Sequence, residues 1–410
     1  MKSDSADLLI VGGLTYNYRV NPRHGWRRSA TLSVLSLAVL ASACLNDRDS
    51  LEYGFGDRDV MLVATGWFPQ NPPEFYQMRI DRLLKASNSR PLSPSEYDDI
   101  SVAYDRIGKD DDALKWIQKK GELMDHHRFK GYDIQPLEGS PPEPWNARNR
   151  PHHIVDSISP TDYHRYSLHA NWGTFLIHRW IRAGMPLARV DEASEAENQL
   201  NDAIEINPEA HAGREIVQIA IIDWLIKERQ GSRHIRPELV TGSQTIKGLS
   251  GLVELGAAWN SYEVFALMTQ HIHDGGGQAM AYFRAKEILV NGGKPVTDVD
   301  LLPPEPRYIE RYQDTYNHLR ETAKQAISDR FKFMRSQFSK GKHPDTDVDF
   351  WRGYSAPERP VVYLPWPARL LAYAIEIVIN LLGCVWIPIL LFVVMKIAKG
   401  KKGKPTSISS

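Results

Sequence analysis

The sequence predicts an all-α chain: an irregular stack of paired helices, then one C-terminal helix that crosses a membrane. Three observations carry this. Leu370 to Met395 reads LLAYAIEIVINLLGCVWIPILLFVVM, an apolar run of about 26 residues, followed by KIAKGKKGK with its five lysines. A helix needs ~20 apolar residues to cross the hydrocarbon core of a bilayer. Helix-start chemistry is present at Ser93-Pro94-Ser95-Glu96, with serine at the cap and proline in the first turn. Across 305–338, Ile309, Tyr312, Tyr316, Leu319, Ala323 and Ala326 follow a 3,4,3,4,3 spacing and form one face of a long helix, with the register lost at Arg330.

Composition bounds the rest. A chain of 410 residues holds two or three domains. Charged residues make up 24% and hydrophobic ones 42%, ordinary for a folded protein. Lys+Arg and Asp+Glu balance at 50 each, so no whole-chain field points to nucleic acid. The two cysteines, Cys44 and Cys384, fall in the terminal apolar stretches. The middle therefore has neither a disulfide framework nor a cysteine metal site.

The N-terminal region has the three-part plan of an export signal. Residues 19–28, RVNPRHGWRR, are basic, Ala30–Ala43 is small and apolar, and Ala41-Ser42-Ala43 is an A-x-A cleavage pattern. At about 14 residues the apolar core is too short to span comfortably. Cys44 follows at once, so the stretch also resembles a lipoprotein signal with Cys44 as the lipidated residue, although Ala41 stands where that motif carries a bulky aliphatic residue. Cleavage or lipidation is the expectation, and an uncleaved anchor the alternative. At the other end, the lysine cluster marks the cytoplasmic side. The soluble bulk is then extracytoplasmic, on the outer face of the inner membrane. Glu376, Asn380 and Gly383 recur at i, i+4, i+7 and share one face of the span, where a polar group meets either a partner or, by reaching back, water.

Between these ends the sequence is helical. After Ser93, Tyr97, Ile100, Ser101, Tyr104, Gly108, Ala113 and Ile117 alternate large, small and turn-forming residues. A second segment places Ala196, Leu200, Ala203 and Pro208 at helical spacing, with Trp172, Gly173 and Leu176 in the helix before it. Both resemble units of a tetratricopeptide repeat (TPR), in which small residues let two antiparallel helices approach and aromatics fill the seam. The first unit departs from the pattern at Lys120 and Asp125, where alanine and proline are usual; the second carries a connection longer by about eleven residues. Further helices are expected over Glu74–Ala86, Glu209–Glu228, Tyr262–His273 and Gln278–Val290, with Gly275-Gly276-Gly277 as a turn. Residues 131–163 form a proline-rich insert and 230–250 a Gly/Ser/Thr loop.

No G-x-S-x-G, H-E-x-x-H, Walker A or dinucleotide-binding turn occurs. His271 and His273, at i, i+2 on a helix, point about 200° apart and read as helix-end histidines rather than metal ligands. Asp110-Asp111-Asp112 reads as solvated turn charge, with a basic partner as the alternative. Neither cofactor nor metal nor catalytic residue is expected.

The expected organisation is therefore 1–43 export segment, 44–92 irregular, 93–293 TPR-like with inserts, 294–338 long capping helix, 339–367 Pro-rich spacer, 368–396 transmembrane helix and 397–410 basic cytoplasmic tail. The resemblance implies a membrane-anchored adaptor or scaffold that binds a protein or peptide in a groove. Its candidate contacts are Tyr97, Tyr104, Asn171 and Trp172. Two rivals remain: an enzyme with its site on the insert around 145–164, and a structural envelope protein oligomerising through Glu376, Asn380 and Gly383.

Overall fold

A computed structural model describes residues 60–126, 158–208, 210–232, 243–254 and 258–358, plus isolated positions 237, 239 and 360. Cys44, most of the 131–163 insert, and the span with Glu376, Asn380 and Gly383 lie outside the described residues. Among those described, all regular structure is helical, and no helix is long and apolar enough to cross a membrane. The unit described here ends at Pro357.

Eleven helices are described. A short α1 (Val60–Thr65) and α2 (Pro73–Ser87) precede α3 (Pro94–Arg106) and α4 (Asp110–His126). Next come α5 (Pro160–Arg182), α6 (Val190–Ile206), α7 (Arg214–Arg229) and α8 (Ser243–Glu254). The last three are α9 (Tyr262–His271), α10 (Gly275–Val290) and α11 (Pro306–Phe338). The cap of α3 is a full capping box: the Ser93 hydroxyl accepts from the Glu96 N–H, and the Glu96 carboxylate accepts from the Ser93 N–H.

Successive helices α3 to α6 alternate in direction. Asp98 on α3 meets Lys120 on α4, and Arg182 near the end of α5 meets Asp110 at the start of α4. Between α5 and α6, Arg179 pairs with Glu192 and His169 with Gln199, so the helices are antiparallel. Gly173 sets their spacing: a Cβ there would stand 2.8 Å from both the Ala196 carbonyl oxygen and Leu200 Cγ. The seven residues from Ala183 to Arg189 make the turn, the last three as a 3₁₀ segment.

Three sequence expectations change. The segment read as a loop over 230–250 becomes helix α8 from Ser243, because Gly248 lets it lie against α7; a Cβ there would meet Val217 Cγ2 at 2.5 Å. Gly275-Gly276-Gly277 is not a turn but the first turn of α10, capped by Asp274, which accepts from the N–H groups of Gly276 and Gly277. Gly275 and Gly276 are glycine because α11 lies on them: a Cβ on Gly275 would come within 2.4 Å of the Tyr308 ring, and one on Gly276 within 3.0 Å of Tyr312.

The third change concerns α11. Its 33 residues make a rod ~50 Å long. The buried stripe does not stop at Ala326 but runs on through Arg330, Met334 and Gln337. The Arg330 guanidinium lies 4.5 Å above the Trp351 ring, donates to the Gln70 carbonyl and donates to Asn71 Oδ1. The rod thus joins α10 to the N-terminal helices, with the Trp67 indole N–H donating to the Leu319 carbonyl on the way. Residues 339–357, the first part of the sequence-read spacer, fold back onto α2. There Asp345 accepts from Arg79 and Arg82, and Phe350 packs with Phe75 and Met334.

Candidate functional site

The chemistry-bearing side chains of the helical-pair region collect between α3, α4 and α5. On α5, Ser167, Asn171, Thr174, His178 and Arg182 follow helical spacing and form one face. That face meets α3 in a parallel register. Asn171 donates to Asp98 and His178 contacts Asp105, and each pair is 73 residues apart. A constant offset along two helices means that they run in the same direction.

The first half of this seam is centred on Asp98. Lys120 Nζ stands 2.6 Å from Asp98 Oδ2 and 2.7 Å from Ser167 Oγ. The Ser167 hydroxyl donates to the same carboxylate oxygen at 3.1 Å, and Asn171 Nδ2 donates to the other at 2.9 Å. Burial pushes the Asp98 carboxyl up to about 6, against the opposing pull of the Lys120 ammonium and three hydrogen bonds. Lys120 donates to Ser167 as an ammonium rather than accepting its proton, and neither residue has exposed surface.

The second half is centred on Asp105, which is fully buried. His178 Nδ1 lies 2.7 Å from Asp105 Oδ1 and Arg182 donates to the same oxygen at 2.9 Å. Burial by itself would raise the Asp105 carboxyl, but Arg182 and His178 outweigh it and hold it below the usual range. Arg182 also pairs with Asp110, and Arg179 with Asp111. The aspartates read as turn charge are thus in the first turn of α4, where they favour the helix dipole, and two of them, Asp110 and Asp111, clasp α5. Asp105 Oδ2, His178 Nε2 and Thr174 Oγ1 are buried with no hydrogen-bond partner among the described residues.

The four candidate contacts separate. Asn171 is fully buried and bonded to Asp98, and Tyr104 is 7% exposed, so both belong to the interior. Tyr97 and Trp172 are half-buried and both lean on α4. Tyr97 lies 6.0 Å from Trp116, whose ring carries the Lys119 ammonium at 4.0 Å; Trp172 lies beside Gly121. Of the insert only residues from 158 on are described, and there Tyr163 and His164 are buried in the first turns of α5. α9 ends at His271, His273 is exposed, and no group of three or more metal-ligating side chains forms among the described residues.

Sequence reasoning missed the charged seam. Its one local signal was Lys120, a lysine at helical spacing with the apolar Ala113, Ile117 and Met124. Compared with protein-family models, with curated proteins and with solved structures, the chain matches none. The functional argument rests on the fold and on these residues.

Proposed function

We propose that this chain is a non-enzymatic adaptor, exported and held at the outer face of the cytoplasmic membrane by Leu370–Met395, that binds a protein or peptide across Tyr97 and Trp172. The observation that supports it most is the parallel α3–α5 register, with its common offset of 73 residues. Together with the antiparallel α3–α4 and α5–α6 pairs, it is the arrangement expected of two stacked TPR-like units. In such a stack the first helices carry recognition residues, and Tyr97 on α3 and Trp172 on α5 are the candidate contacts that keep exposed area, beside α4. Half-exposed aromatics supply large contact area with little conformational entropy to lose. The titratable groups that suggest catalysis are engaged with one another beneath this surface. A membrane tether would raise the partner's effective concentration at that face.

The test is a pull-down from detergent-solubilised membranes with the full chain and with Trp172→Ala and Tyr97→Ala. The expected result is one partner retained by the parent chain and lost from variants whose melting curves are unchanged. If no partner is retained, or if both substitutions leave its recovery unchanged, the adaptor reading fails.

A further inference from the structure

We propose that the exposed side of α11 carries a second binding site, one for an acidic peptide segment of a partner protein. This surface uses other helices than the Tyr97–Trp172 face, so the inference stands independently of the adaptor reading.

The site is an open depression of about 570 Å³ whose lining includes Arg320, Lys324, Lys332, Arg335, Trp259 and Phe331. Four cations and no carboxylate line it. They span sixteen residues of one helix, or about 22 Å. That length is too great for a single small anion and matches about six or seven residues of extended peptide.

The neighbouring acids indicate how much charge the ligand brings. Glu287 accepts from the Tyr316 hydroxyl at 2.6 Å and is engaged by Arg320 and Arg284 at 2.9 Å each; despite burial these donors, Tyr316 foremost, hold its carboxyl down at about 2. Arg335 pairs with Glu74 at 3.0 Å, with both side chains about half exposed. Lys324 reaches Glu321 only at 3.4 Å and Glu287 only at 3.8 Å. Lys332 has no ion-pair partner among the described residues. The excess of positive charge is therefore small. Exposed pairs such as Arg335–Glu74 are weak and readily exchanged. This suits two or three carboxylates better than a polyphosphate backbone.

The rest of the lining is apolar. Trp259 is a rigid wall: the Arg284 guanidinium lies 3.8 Å from its ring centre, and the Phe68 and Phe265 rings meet it edge-on at 5.4 and 5.9 Å. Ile327 and Phe331 add apolar surface on α11. Gln70 also lines the depression, at its N-terminal-segment side. An acidic segment carrying an aliphatic or aromatic side chain fits both halves: carboxylates on Lys324, Lys332 and Arg335, and the apolar group on Trp259 and Phe331.

The experiment is fluorescence anisotropy of a rhodamine-labelled peptide of alternating Glu and Leu, titrated with the full chain in neutral detergent. Saturable binding that weakens with salt is expected. It should fall about tenfold or more in Lys324→Glu/Lys332→Glu, whose substituted side chains are exposed and whose melting curve should match the parent. Phe331→Ala should weaken it by a smaller factor. Absence of binding, or equal binding by the double variant, overturns the proposal. So does binding of phosphatidylglycerol vesicles or inorganic phosphate without binding of the peptide.

Discussion

Lys120 Nζ on α4 lies 2.6 Å from Asp98 Oδ2 on α3, and only 0% and 3% of the two side chains are exposed. The lysine shares a helical face with the buried Ala113, Ile117 and Met124, so a charged pair sits on an otherwise apolar contact between the two helices. Such a pair is stable only while both members are present, because removing one leaves an uncompensated charge in the interior. Lys120→Ala should lower unfolding stability by ~3–5 kcal/mol. The joint replacement Asp98→Leu with Lys120→Met should cost much less than the two single replacements summed. Urea titration of all four forms measures this, and simple additivity would refute the coupling.

Two glycines inside helices should respond in opposite directions to alanine. At Gly173 the new methyl group would meet the Ala196 carbonyl and Leu200 Cγ at 2.8 Å. Parting α5 from α6 should cost ~1–3 kcal/mol. At Gly121 the nearest atom to the methyl is 3.8 Å away, on Trp172, an ordinary contact. There the helix propensity gained, up to ~1 kcal/mol, should appear as added stability. Thermal melts of the two variants beside the parent decide it, and a shift of the same sign in both would contradict the packing described.

The stability of the chain should carry a pH dependence traceable to Glu197 on α6. Burial, reinforced by Asp223 on α7, pushes its carboxyl up to about 7, while Lys227 opposes this. The folded protein thus holds this proton more tightly than the unfolded chain does. The associated stability is complete below the ordinary value of 4.5 and is lost as pH rises through about 7. Glu197→Gln removes the ionisation. The variant should exceed the parent by about 1 kcal/mol above neutrality, after allowance for screening at a partly exposed site, and the advantage should vanish toward pH 4. Denaturation midpoints across this range give the answer; a constant difference would mean that Glu197 does not titrate there.

How much of this was legible in the sequence varies by element. Helices with a strong cap or a sustained apolar period, such as α3 and α11, are readable because the signal is local. The glycines of α10 misled because Gly275 and Gly276 respond to a neighbour far along the chain, the Tyr308 and Tyr312 rings, rather than to their own turn. Helix α8 was obscured in the same way by Gly248. Candidate contacts divide by what stands behind them: Asn171 became interior because Asp98 has to be matched. No spacing rule within α5 reveals a carboxylate 73 residues upstream.

The last prediction tests the strap that α11 makes across the chain. Arg330 extends the buried stripe as a cation, touching the Trp351 ring, the Gln70 carbonyl and Asn71 Oδ1 at once. These partners come from both sides of the unit, so one side chain ties residues 70–71 to the returning segment 339–357. Apolar periodicity cannot report such a residue, which is why the register seemed to break there. Arg330→Ala should lose a stacked cation and two hydrogen bonds from a charged donor, about 3 kcal/mol or more. Arg330→Lys should recover little, since a lysine cannot supply the planar fork. Limited proteolysis should then cut first between 339 and 357, before the α3–α6 helices. If Arg330→Ala digests like the parent, the return of 339–357 onto α2 is held without Arg330, by Asp345 on Arg79, His343 on Phe75 and Phe350 on Met334.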